Sequence, residues 1–119
     1  METSGGIRAS LAGRYASALF ELARDERQID AVSGSLQAVR ATLDSSADLR
    51  AVTSSPLIDR KEAAKAVSAT AAALQLDPTT TNFLGVLARN GRLRQLPEVI
   101  RLFGRLVADH RGETTAEVV

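Results

Sequence analysis

The chain has 119 residues, enough for one domain that buries about two thirds of its unfolded surface. It is 45% hydrophobic but only 3% aromatic, with no Trp, so its core must come mainly from Leu, Val and Ala, a composition that favours packed helices over a sheet. A formal net charge of +1 supplies no field for a polyanion or an anionic membrane, and the lack of Cys excludes disulfides, thiolate nucleophiles and Cys-ligated zinc.

The opening METSGGIRAS has neither the apolar stretch nor the cleavage pattern of an export signal. No apolar run approaches the roughly 20 residues that a membrane-spanning helix needs. Apolar periodicity predicts a first helix over residues 8–27, a second over 29–45 and a short third over 47–54. The third stops at Ser54-Ser55-Pro56, because a residue before proline is pushed out of the helical region. Asp59 with Glu62 three positions on has the arrangement of a capping box, so a fourth, alanine-rich helix follows to about Leu74. Asp77-Pro78-Thr79 opens a fifth helix, and Asn90-Gly91 closes it, since glycine takes the positive φ of a C′ position without a Cβ penalty. A sixth is expected over residues 95–111, ending at Gly112. Beyond it ETTAEVV is rich in Thr and Val and reads as the start of a strand. The expected architecture is therefore all-α: a six-helix bundle over residues 1–111, with 112–119 leading toward a further domain that the chain lacks.

The helix faces are unequal. The second helix places Ile29, Val32, Leu36, Val39 and Leu43 within an arc of roughly 80°, which one seam satisfies. The first carries Leu11, Tyr15, Ala18 and Leu22 on one strip, while Ala12, Ala16, Leu19, Phe20 and Ala23 widen its apolar arc to roughly 200°. The fifth repeats the excess: Phe83, Leu84, Val86, Leu87 and Ala88 also sweep roughly 200°, leaving mainly Asn82, Gly85 and Arg89 for water. Two readings account for the surplus. Either both helices bury their arcs inside the bundle, or they form a groove for a partner's amphipathic helix, with small residues such as Ala18 and Gly85 permitting close approach.

Chemistry has little support. His110 is the only histidine, so neither a triad nor an imidazole metal cluster can form around a second, and it is expected near the end of the sixth helix. Asp25 and Glu26 are adjacent and splay around their helix. Gly5-Gly6 lacks phosphate-loop spacing. Tyr15 on an apolar strip reads as a packing or interface residue. No catalytic residue, cofactor or metal site is expected. A second functional reading rests on Arg89, Arg92, Arg94, Arg101 and Arg105, opposed by Glu98 alone, around a helix–turn–helix-like junction that would suit nucleic acid. Against it, Gln95, Leu96, Pro97 and Glu98 open the sixth helix and are poorly suited to reading base edges.

The segment RYASALFELA beginning at Arg14 and the segment TNFLGVLARNGRL beginning at Thr81 stand in a telling order with Pro56, the Lys61 region, Leu96, Pro97, Phe103 and Gly112. Together they resemble the N-terminal domain of the delta subunit of bacterial rotary proton-translocating ATP synthases, the oligomycin-sensitivity-conferring protein of mitochondria. The resemblance implies a six-helix bundle followed by a smaller domain that meets the b subunits of the peripheral stalk. It also implies a non-catalytic stator role, without nucleic acid or direct membrane insertion, at the cytoplasmic side of the bacterial inner membrane. In such proteins the bundle grips the amphipathic N-terminal helix of an alpha subunit between its first and fifth helices, the two with surplus apolar arcs here. Carried onto this chain, the implied contact residues are Leu11, Tyr15, Ala18, Leu19 and Leu22, with Phe83, Val86, Leu87 and Asn90 opposite.

Overall fold

A computed structural model describes Ile7 and residues 9–116, with side chains as far as Gly112. Among the described residues there are six α-helices and no strand: α1 (Leu11–Asp25), α2 (Ile29–Ser45), α3 (Ala47–Ser54), α4 (Arg60–Leu74), α5 (Pro78–Arg89) and α6 (Leu96–Ala116). A single 3₁₀ turn, Leu93–Gln95, joins α5 to α6. The all-α six-helix expectation holds.

Local chemistry sets most of the boundaries. Ser10 caps α1, its Oγ accepting from the Gly13 N–H at 2.9 Å, so the helix starts at Leu11 and not at residue 8. It stops two residues before the expected end, because Arg27 turns left-handed at φ 58° and sends the chain into α2. Ser46 ends α2 and caps α3, accepting from the Leu49 N–H at 3.1 Å, which makes both helices end where periodicity predicts. Asp59 caps α4 through the Lys61 N–H at 3.3 Å, and Gln75 at φ 55° closes it. Asp77 caps α5, accepting from both the N–H and the hydroxyl of Thr80, while Ser35 on α2 donates to the same carboxylate. Gly91 ends α5 at φ +68°, and the Arg92 N–H returns to the Leu87 carbonyl at 2.8 Å.

The C-terminal expectation is corrected. Helix α6 does not end at Gly112 but passes through it to Ala116, so residues 113–116 are helical and do not begin a strand. A glycine inside a helix costs only about 1 kcal/mol relative to alanine, too little to stop a helix whose backbone ladder is uninterrupted. The β preference of Thr and Val also acts only where a sheet offers neighbours. Val118 and Val119 lie outside the described residues. His110 consequently sits within α6, its ring edge-on to Phe20 with centroids 5.6 Å apart.

Two pairs of helices pack most closely, α1 against α6 and α4 against α5, and α2 touches all four. The core runs through Leu36, Leu84, Leu87, Leu96, Val99 and Phe103, all almost wholly buried. Phe20 meets Phe103 edge-to-face at 5.9 Å. At the start of α1 the buried Ile7 folds onto the helix: a Cβ on Gly13 would lie 1.4 Å from the Ile7 carbonyl oxygen, so only glycine admits this approach.

Candidate functional site

Helices α1 and α5 run antiparallel and meet through side chains. Near one end Asn90 Nδ2 donates to Tyr15 Oη at 3.1 Å, and at the other Thr79 Oγ1 donates to Glu26 Oε1 at 2.6 Å. Beside the first tie Tyr15 and Phe83 stand edge-to-face with ring centroids 6.2 Å apart. The partners are 75 and 53 residues apart in sequence, a separation at which no local pattern signals a contact.

The contacts bring together two strips at helical spacing. From α1 come Leu11, Tyr15, Ala18 and Leu22; from α5 come Phe83, Val86 and Asn90. Leu22 is 46% exposed, and Leu11 and Val86 are each 37% exposed. Ala18 and Asn90 are also exposed, whereas Tyr15 and Phe83 are half-buried. The other two expected contact residues are not at the surface. Leu19 is 2% exposed and Leu87 is fully buried, each on the inward side of its helix with Ala16 and Ala23 or with Leu84 and Ala88. A 200° arc spans more than one face, and residues near its middle turn into the core. Gly85 is displaced as well. It lines a separate groove between α4 and α5, where the Arg89 guanidinium comes within 3.1 Å of the position a Cβ would take.

The polar groups on these two strips are one phenol and one carboxamide, already hydrogen-bonded to each other, which leaves mainly apolar surface and little means for chemistry. Among the described residues no group of three or more His, Cys, Asp or Glu could hold a metal ion, and no helix is long and apolar enough to cross a membrane.

The arginines divide between two clefts. Arg89 lines the α4–α5 groove, and Arg94 and Arg101 line a cleft beside Arg40. Arg101 also donates from Nε and Nη2 to the Glu98 carboxylate at 3.0 and 2.5 Å. That hydrogen bond, helped by the charge of Arg101, holds the Glu98 carboxyl below its ordinary range and raises the Arg101 guanidinium. The ion pair with Glu98 neutralises part of the positive charge that Arg40, Arg94 and Arg101 bring to that cleft.

The sequence model of the family described as ATP synthase delta (OSCP) subunit matches residues 11–119. The chain is 68% identical over 118 residues to the ATP synthase subunit delta of Rhizorhabdus wittichii, covering 99% of this chain and 64% of that one. It is 53% identical over 119 residues to the ATP synthase subunit delta of Erythrobacter litoralis, covering 100% of this chain and 65% of the relative. Among solved structures it resembles a chain in the cryo-EM structure of the Toxoplasma gondii mitochondrial ATP synthase hexamer, with a TM-score of 0.73 and 35% identity over 79% of this chain and 52% of that one. The chain thus spans less than two thirds of the length of these relatives. The match over nearly all its residues, on an all-helical fold shared with a component of an ATP synthase, means that it belongs to the ATP synthase delta (OSCP) subunit family.

Proposed function

We propose that this bundle is the head-binding part of a stator subunit in a rotary proton-translocating ATP synthase. In this reading it does no catalysis. It seats the amphipathic N-terminal helix of an alpha subunit in the α1–α5 groove and keeps the catalytic head from turning with the central shaft. The part of the family's length that this chain does not span would carry the contacts to the b subunits of the peripheral stalk. The assembly would place the bundle at the cytoplasmic side of a bacterial inner membrane, attached through its partners.

One observation carries the reading. Of the four large hydrophobic side chains exposed among the described residues, three are Leu11, Leu22 and Val86, on the strips that Tyr15, Phe83 and Asn90 draw together. A guest helix laying its own apolar stripe there would remove that surface from water, worth roughly 25 cal/mol per Å² before the cost of ordering the guest. Resisting torque calls for slow dissociation, and burial of apolar surface is suited to that.

The test is an NMR titration of the isotope-labelled chain with a synthetic peptide spanning about the first twenty residues of the alpha subunit, a length at which an isolated helix is marginal. Saturable amide shifts confined to α1 and α5 are expected. Absence of shifts at high peptide concentration, or shifts centred on another helix pair, would remove the groove from the mechanism.

A further inference from the structure

The loop between α3 and α4, together with Gly91 and the turn after α5, surrounds a cavity of about 210 Å³. Arg60, the first residue of α4, lies along it. Its Nη1 donates to the carbonyl of Arg89 at 3.3 Å, and its Nε sits 2.9 Å from where a Cβ on Gly91 would be. Gly91 therefore serves twice, taking the left-handed turn and leaving room for a guanidinium against the backbone. One donor of Arg60 is engaged by that carbonyl, and the rest of its planar fork remains available. Arg94 lines the same cavity from the turn after α5.

Among the described residues neither Arg60 nor Arg94 forms an ion pair, whereas Arg24, Arg40, Arg101 and Arg111 each have a carboxylate partner. Between Pro56 and Ile58, which line the cavity, Leu57 is 92% exposed, more than any other large hydrophobic side chain described. Two arginines lining one small cavity suit an oxyanion, because guanidinium donors bind carboxylate oxygens in charge-assisted pairs. An inorganic anion would satisfy the arginines but leave Leu57 in water. A peptide segment answers both features.

We propose that the Arg60–Arg94 cavity is a second docking site, taking a carboxylate side chain from an acidic segment of a partner protein, with an apolar residue beside that carboxylate covering Leu57. The site is separate from the α1–α5 groove and does not depend on it. The two meet at the last turn of α5, where Asn90 faces Tyr15 and the Arg89 carbonyl faces Arg60.

The experiment follows the arginine Nε–Hε resonances of the labelled chain during titration with three probes: acetyl-Leu-Glu-Glu-Leu-amide, its glutamine counterpart, and inorganic phosphate. The glutamate peptide is expected to shift Arg60 and Arg94 saturably and the glutamine peptide to leave them in place. R94Q should weaken the glutamate peptide about tenfold, the loss of one charge-assisted pair, and L57S should weaken it by a smaller factor. Because R60Q also removes the tie to α5, R94Q carries the test, with circular dichroism confirming that it is folded. Saturation by phosphate without the glutamate peptide would overturn the partner reading. Unsaturable shifts of equal size at Arg40 and Arg105 would overturn the site altogether.

Discussion

Helix α1 has two apolar faces, and they meet different fates. Toward α6, Ala12, Ala16, Leu19 and Ala23 are at most 2% exposed, and Phe20 closes on Phe103. Toward α5, Leu11, Ala18 and Leu22 stay in water and Tyr15 is half-covered. Hydrophobicity does not distinguish the faces; the closeness of the neighbouring helix does. Alanine at three of the four buried positions lets α6 approach α1 closely. On the other face the rings of Tyr15 and Phe83 stand between α1 and α5, which are not among the closely packed pairs. Three alanines let the seam close, and two rings stand between α1 and α5.

The sharpest way to break this contrast is to truncate one residue in the seam, on its α6 side, and one on the exposed face of α1. Phe103→Ala should cost about 3–5 kcal/mol in urea unfolding, as expected for a large side chain removed from a fully packed core. Leu22→Ala in the groove should cost less than about 0.5 kcal/mol. Equal losses would mean that both faces are core. Next in size, Val86→Asp should weaken the alpha-subunit peptide by about a hundredfold in a calorimetric titration, some 3 kcal/mol, because a carboxylate would have to be desolvated beneath the guest. Helical content should not change, and unaltered affinity in a folded variant would take Val86 out of the groove.

A smaller effect concerns the tie between α2 and α5. Burial by itself would raise the Asp77 carboxyl, but hydrogen bonds from Ser35 and Thr80 outweigh it and hold the group below its ordinary 3.8. Its folded pKa is below its unfolded one, so the unfolded chain takes up the proton first. The stabilisation is therefore complete above about pH 4 and is lost as pH falls from there through the folded value. Asp77→Ala should cost about 1–2 kcal/mol at neutral pH and flatten the acid limb of the stability curve. Less than for Asp77→Ala is expected from Asn90→Ala, about 0.5–1 kcal/mol for one exposed hydrogen bond, with Tyr15→Phe costing a similar amount and the double variant little more than either.

What could be read in the sequence was what neighbouring residues decide among themselves. The bounds of α2 and α3, the Asp59 and Asp77 caps and the left-handed Gly91 all follow from residues within a turn of one another. The two helices that carry exposed apolar side chains were legible as well, through arcs too wide for one seam. Which side of each arc faces out was not, because burial of Leu19 and Leu87 depends on where other helices lie. Arg27 and Gln75 take positive φ without being glycine, a choice imposed by chain direction and not by their own preference. The overrun of α6 past Gly112 shows the opposite error, a local stop signal that the continuing helix overrode. Arg60 gave no signal at all, since its bond to Arg89 joins residues 29 apart.

The side-chain ties that flank the groove have a further consequence. Glu26 and Tyr15, where α5 is fastened to α1, are about eleven residues apart, roughly 16 Å along a helix axis. With the exposed Leu11 one turn beyond Tyr15, the strip would act as a length gauge for a guest helix seated there. Such a guest would need its apolar stripe over only about four turns. Whatever followed in the guest would emerge beyond that strip, free of the bundle's demands on its composition.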